Sequence, residues 1–321
     1  MDTLLELKTN ILTFIEKNER WVKPASKLVM MLFVYLTVYF RLGFFGRLHN
    51  IMVPVFLSAV CSVTPTSLGC ILLGLYILIN LYGLGIEVAL VGLIMLLLCY
   101  LLYLRFARKQ AYIMVLTPIL SLLRIPYVLP VAVGLTSEIP TVVSVLMGTV
   151  VFYFFRGIKA NEAVFLSNDA GEGINKIGVA ISQFTGNVEM WLMIGTFLCT
   201  TIIVYVIRRM RIKNAWRVAI YAGSVLQLIM ILGGKLVLLT DTGIIGVIVG
   251  SVISVALLVV LEFFLFNLDY TRVENVQFED DNYYYYVMAV PKTLVKAKSK
   301  RVTTFNETKQ KKEEIESESL L

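Results

Sequence analysis

The fold of this chain is decided by residues 111–136, which read AYIMVLTPILSLLRIPYVLPVAVGLT. The stretch is apolar except at its middle, where Arg124, Ile125 and Pro126 interrupt it. The arm before the break has 13 residues, so as a helix it would extend roughly 20 Å and could not cross the ~30 Å core of a bilayer. Because proline prevents a straight continuous helix, we predict a re-entrant or discontinuous hairpin over 111–136.

A second apolar stretch, residues 51–82, has the same organisation. It is broken by Thr64, Pro65, Thr66 and Ser67, and the arm before the break again has 13 residues. We predict a second hairpin here by the same reasoning.

The composition indicates a membrane protein. Of the 321 residues, 58% are hydrophobic and 16% are charged, and the mean hydropathy is +0.80. Soluble domains are about 45–50% apolar and about 25% charged. These values exclude a soluble enzyme, a disordered chain, a collagen and a coiled coil.

Six further apolar segments are close to the length that spans a bilayer. We therefore predict an all-α polytopic protein with six transmembrane helices plus the two hairpins, in a transmembrane domain over 27–267. The predicted spans are residues 27–46, 86–106, 139–155, 190–207, 217–239 and 242–267.

The distribution of basic residues predicts the orientation. With both termini in the cytoplasm, 22 Lys and Arg residues lie on the cytoplasmic side and six lie outside, as the positive-inside rule requires. Arg41 and Lys235 are near span ends and are expected to snorkel to the interface. Full crossings in place of the hairpins, up to ten in all, fit the same counts. The six outside residues are Arg41, Arg47, Arg156, Lys159, Lys176 and Lys235.

The two ends of the chain differ from the transmembrane domain. Residues 1–26 contain an amphipathic helix that is expected to lie in the cytoplasmic interface or to dock a partner. Residues 268–321 form a polar cytoplasmic tail, in which 273–290 reads as a β-hairpin and the charged end as disordered. Residues 273–301 could recruit a cytoplasmic protein through a free strand edge.

The two hairpins are the strongest functional signal. Unwound backbone survives inside a bilayer only where protein or a water-filled cavity satisfies it, and paired interrupted segments entering from opposite faces are typical of inverted-repeat transporters. Proline kinks are also common in any polytopic protein. The predicted substrate path comprises Thr64, Pro65, Thr66, Ser67, Arg124, Pro126 and Glu138, with Arg124 facing an anionic group and Glu138 as its partner.

Gly246, Gly250 and Ser254 give the last span a face of small residues. Such a face lets helices approach closely. We expect it to pack within the bundle, with a homodimer interface as the alternative.

No motif indicates an enzyme. The four cysteines are scattered in apolar segments and His49 is the only histidine, so no metal site, cofactor or catalytic triad is predicted. The basic excess indicates contact with the lipid bilayer and its anionic headgroups, and no nucleic acid partner is expected.

The tail carries one family resemblance. Residues 269–272 read DYTR, 277–281 read QFEDD, 283–286 read YYYY and 291–292 read PK. This pattern resembles the C-terminal signature of a family of polytopic membrane proteins in Gram-positive anaerobic bacteria that has no known activity. The resemblance implies a bacterial plasma-membrane location.

Two functions remain at this point. The first is a transporter or permease-like component for a small solute, in which the hairpin breaks line the path. The second is a non-transporting scaffold of envelope assembly or cell division that recruits its partner through the tail.

Overall fold

The computed structural model of the chain describes residues 2–46, 50–106, 111–166, 173–210, 212, 214–238, 243–265, 274–280 and 283–289. Within these ranges the chain forms helices and one small two-stranded sheet, which confirms the predicted all-α class with a β-hairpin tail. The helices are α1 Asp2–Lys17, α2 Glu19–Leu42, α3 Met52–Val63, α4 Thr66–Tyr82, α5 Ile86–Phe106, α6 Ala111–Leu122, α7 Val128–Thr136, α8 Val142–Ala160, α9 Glu162–Leu166, α10 Gly173–Thr185, α11 Val188–Arg209, α12 Ala215–Val237 and α13 Ile244–Leu265.

Five helical segments are long and apolar enough to cross a membrane: α2, α8 with its preceding 3-10 turn, α11, α12 and α13. Large apolar side chains cover the outside of these helices; Val237 is 82% exposed and Ile245 is 79% exposed. Exposure of such a surface to water is unfavourable, whereas contact with the apolar tails of lipids is not. The chain is a multi-pass integral membrane protein.

The first hairpin, α3 and α4, lies along α2. The Lys27 ammonium donates a hydrogen bond to the carbonyl of Thr64 at the break between them. At the other end, a side chain on Gly83 would lie 2.8 Å from the backbone of Phe44. The hairpin thus runs roughly 25 Å along α2. We call the end of the bundle with Lys27 the near end, and the end with Phe44 the far end.

The second hairpin breaks at a helix cap. The N–H of Arg124 donates to Ser121 O at 3.2 Å and the N–H of Ile125 donates to Leu120 O at 2.9 Å. This pair of bonds is a Schellman motif, which requires a left-handed residue, and Arg124 adopts φ 62°. The cap satisfies the carbonyls at the end of α6, and Pro126 then prevents the helix from resuming in the same direction.

After the break, α7 returns toward the near end inside the bundle. It packs against α8, α11, α12 and α13, and most of its residues are buried. At its end, the guanidinium of Arg208, in the last turn of α11, donates to the carbonyl of Leu135. Both hairpins therefore return to the end from which they start, and the second break is buried in protein from Pro126 onward.

Gly250 allows α13 to touch this break. A side chain there would collide with the carbonyl oxygen of Arg124 and lie 2.9 Å from the ring of Tyr127. Ser254, one turn further, is buried and donates to Gly250 O at 2.7 Å. A side chain on Gly246 would meet nothing within 4 Å. The small face of α13 at Gly250 is therefore occupied by the chain's own second hairpin.

The ends of the chain add two small elements. At the near end, Lys8 of α1 donates to Phe263 O and lies 5.2 Å from the centre of its ring, and burial lowers the pKa of Lys8. In the tail, β1 Glu274–Asp280 pairs antiparallel with β2 Tyr283–Ala289, so that Gln277 faces Tyr286. The predicted charged end of the tail lies outside the described residues.

The matched pair Gly250→Ala and Gly246→Ala tests the packing of α13. Alanine improves helix propensity by about 1 kcal/mol at either site, whereas overpacking at residue 250 costs roughly 1–3 kcal/mol. We expect Gly250→Ala to lower the thermal midpoint of the detergent-solubilised protein and Gly246→Ala to leave it equal or raise it. Equal midpoints would contradict the close approach at Arg124.

Candidate functional site

A cavity of about 780 Å³ lies inside the bundle and reaches the far end. Its volume is in the range of sites that bury drug-sized ligands. Helices α2, α4, α5, α6, α8, α11, α12 and α13 contribute its walls, together with the second hairpin break. The deeper walls are apolar and include Val34, Leu73, Ile77, Met114, Phe152 and Phe197.

The charged residues of the cavity are almost all basic. Five cations line it, against the single carboxylate of Glu189, which gives the described lining a net charge of +4. The cations are Arg41, Arg124, Arg156, Lys159 and Lys235.

Helix ends bring most of these cations together. Arg41 lies in the last turn of α2, Lys159 in the last turn of α8 and Lys235 in the last turn of α12. Cations at helix C-termini are favoured by the helix dipole, and these three helices all end at the far end. Lys159 is fixed further, because its ammonium donates to Arg41 O at 3.2 Å.

One ion pair partly neutralises the positive charge of the cavity lining. Arg156 Nη1 lies 3.2 Å from Glu189 Oε2, in the first turn of α11. The guanidinium of Arg156 also lies 5.8 Å from the centre of the Tyr153 ring. Arg156 is thereby held over the cavity by two neighbours, and the only described carboxylate in the lining is already engaged.

Of the five cations, Lys235 has the charge that its surroundings neutralise least. It is only 7% exposed, and none of the described carboxylates lies within 4 Å of its nitrogen. Arg41 and Arg124 likewise have no ion pair among the described residues. A buried charge without a partner is costly, and Lys235 is such a charge. Together with Arg41 and Arg124, whose side chains are exposed but line the same cavity, it makes the cavity suited to an anion.

The structure places the predicted path residues in different parts of the bundle. Arg124 and Pro126 line the cavity, whereas Thr64, Pro65, Thr66 and Ser67 are not among its lining residues. Those four form the turn of the first hairpin beside Lys27 at the near end. The two breaks therefore do not meet in one path.

Glu138 is also separate from the cavity. It is exposed and precedes the 3-10 turn Ile139–Thr141, and the whole of α7 lies between it and Arg124. The structure does not bring the expected partners Arg124 and Glu138 together. Glu189, which sequence reasoning did not select, supplies the carboxylate in the lining.

Sequence reasoning also missed the convergence of four cations. The sequence predicts only snorkelling for Arg41 and Lys235, and it predicts only an outside location for Arg156 and Lys159. The signal was present in the charge distribution. Of the seven basic residues that the predicted topology does not place on the cytoplasmic side, counting Arg124, five line this one cavity.

Polar side chains continue from the cavity toward the near end. On α8, α11 and α12 they lie closer to the near end than the lining residues Thr149, Phe197 and Lys235 of the same helices. Buried polar groups normally have partners, so these exceptions point to hydration or movement. Three of their buried atoms have no hydrogen-bond partner among the described residues, namely Ser144 Oγ, Thr200 Oγ1 and Gln227 Nε2.

The described residues contain no group of three or more His, Cys, Asp or Glu side chains that could hold a metal ion. No family model matches the chain, and no curated protein or solved structure is significantly similar to it.

Cys70 lines the cavity and allows its charge to be measured. In a variant that keeps only this cysteine, we expect a sulfonate-bearing methanethiosulfonate to react at least about tenfold faster than a trimethylammonium-bearing one, because a cationic cleft concentrates anions. The two rates are normalised to those of a small thiol in solution.

Lys235→Gln in the same background should reduce this preference. Lys176→Gln, which removes a far-end charge outside the lining, is the control and should leave it unchanged. Equal normalised rates at Cys70 would exclude a cationic cavity.

Proposed function

We propose that this protein is a transporter or permease-like component that takes up or releases a small anionic solute through the far-end cavity. The observation that carries the proposal is the net charge of +4 inside a cavity of about 780 Å³. We further propose that the protein lies in a bacterial plasma membrane with both termini in the cytoplasm, so that the cavity faces outside. The basic-residue distribution and the tail resemblance support this placement.

In this proposal the cations have distinct roles. Arg41 and Lys235 have no carboxylate partner in the described chain and attract the anion. Arg156, held by Glu189, is oriented to form charge-assisted hydrogen bonds. Arg124 lies at the helix break, where a small shift of the cap would move its charge relative to the cavity.

The unpartnered atoms of Ser144, Thr200 and Gln227 support passage as well as binding. On α8, α11 and α12 they lie closer to the near end than the lining residues of the same helices. A transporter alternates between states open to either side. The side chains of Ser144, Thr200 and Gln227 form a polar seam, which is closed in one state and serves as the path in the other.

A cysteine at residue 227 tests the passage. In a background without native cysteines, we expect Gln227→Cys to react with a membrane-impermeant thiol reagent from the near end. The expected rate is about 0.1–10% of that of an exposed cysteine, since a minor state is populated to that extent.

The matched control keeps only Cys99, which is also buried but lies on α5, a helix that carries none of the three unpartnered atoms. It should not react under the same conditions. If residue 227 stays as unreactive as Cys99 while Cys70 reacts from the far end, the protein binds without transporting.

The second candidate function is the scaffold. It is favoured by the exposed tail sheet, in which Tyr283, Tyr284 and Tyr286 are more than half exposed on a pair of strands with no third strand in the described chain. Such edges suit the addition of a partner strand.

Complementation of a gene deletion separates the two functions. For a transporter, Arg124→Gln with Lys235→Gln should abolish complementation, while removal of 269–321 should leave most of it. The reverse result would favour the scaffold, provided that membrane levels of both variants match the wild type.

A further inference from the structure

The cavity has two chemically different parts. Its cations Arg41, Arg156, Lys159 and Lys235 lie in or near the last turns of helices that end at the far end, so they surround the mouth. Val34 lies seven residues below Arg41 on α2, which is roughly 10 Å deeper. A ligand in this cavity would therefore contact positive charge at the mouth and apolar surface below it.

From these two parts we propose that the ligand is an anionic amphiphile: a phosphate-class head group held at the mouth, with an apolar chain along the deeper wall. The inference rests on the proposed function and names the substrate class of the same site. It commits to an amphiphile of the phosphate-ester type, and free phosphate is a competing outcome of the test.

The charge at the mouth favours a multiply charged group. A monocarboxylate would neutralise one unit of a net +4 lining. A phosphate monoester carries about two negative charges at neutral pH and offers three acceptor oxygens. Arginine matches phosphate geometry in a bidentate manner, and lysine binds it as a point charge; both are present at this mouth.

The volume and walls favour a chain. A bare inorganic anion would fill little of about 780 Å³ and would leave the apolar lining in water. Leu73 and Ile77 are buried side chains that face this space from α4, and Phe152 faces it from α8. Each methylene moved from water to such a surface strengthens binding roughly fourfold.

Protection of Cys70 is a direct readout, because this thiol lies in the lining beside the apolar wall. The protein, with Cys70 as its only cysteine, is placed in phosphatidylcholine nanodiscs and labelled with an uncharged maleimide. Four probes compete at constant ionic strength: octyl phosphate, inorganic phosphate, octanol and octyltrimethylammonium.

We expect octyl phosphate to protect Cys70 at a concentration at least about 100-fold lower than inorganic phosphate, with little protection by octanol or octyltrimethylammonium. Lys235→Gln and Arg41→Gln should each raise the half-protecting concentration of octyl phosphate at least tenfold. Lys176→Gln, at the same end but outside the lining, should not.

Each other result overturns the inference in a recognisable way. Equal protection by inorganic phosphate would leave an anion site without a chain, so the proposed function would stand. Equal protection by octanol or octyltrimethylammonium would leave an apolar pocket without head-group recognition. If no probe protects while Cys70 still prefers the sulfonate reagent and residue 227 still reacts, the proposed function stands and the amphiphile is excluded.

Discussion

The rest of this structure depends on the requirement that every backbone group inside a bilayer be hydrogen-bonded by the protein itself. The chain interrupts its helices twice, and each interruption has its own solution. Lys27 satisfies the Thr64 carbonyl at the first break, and the Schellman cap at Arg124 satisfies the second. Because α7 is short and surrounded, its end is also satisfied by a side chain, that of Arg208.

This constraint also explains where the cavity forms. A helix that ends inside the bundle leaves space above its last turn, and α6 ends at Leu122 within it. Gly246 and Val247 of α13 line this space, and Gly250 lets the same helix pack against the break. Positive charges lie at the C-terminal ends of α2, α8 and α12, where the helix dipoles favour cations.

The sequence allowed the helical class, the two breaks and the strand pair to be predicted, because hydropathy and proline act locally. The sequence did not allow the two hairpin breaks to be placed relative to one another, since their positions depend on how α3 and α6 pack against α2 and α8. Glu138 was selected for its position next to the hairpin, yet the direction of α7 carries it to the near end. The cluster of cations was accessible only as a set of exceptions to the positive-inside rule, whose common location requires three dimensions.

The cationic cavity has an energetic consequence for direction. Bacterial plasma membranes are negative inside, and moving one elementary charge across 100 mV is worth about 2.3 kcal/mol. In the proposed orientation, with the cavity facing outside, a doubly charged anion that left this cavity for the cytoplasm would move against that potential by roughly twice this amount. Inward movement would therefore need a co-transported cation or another energy source, whereas movement out through the same cavity would proceed with the potential alone.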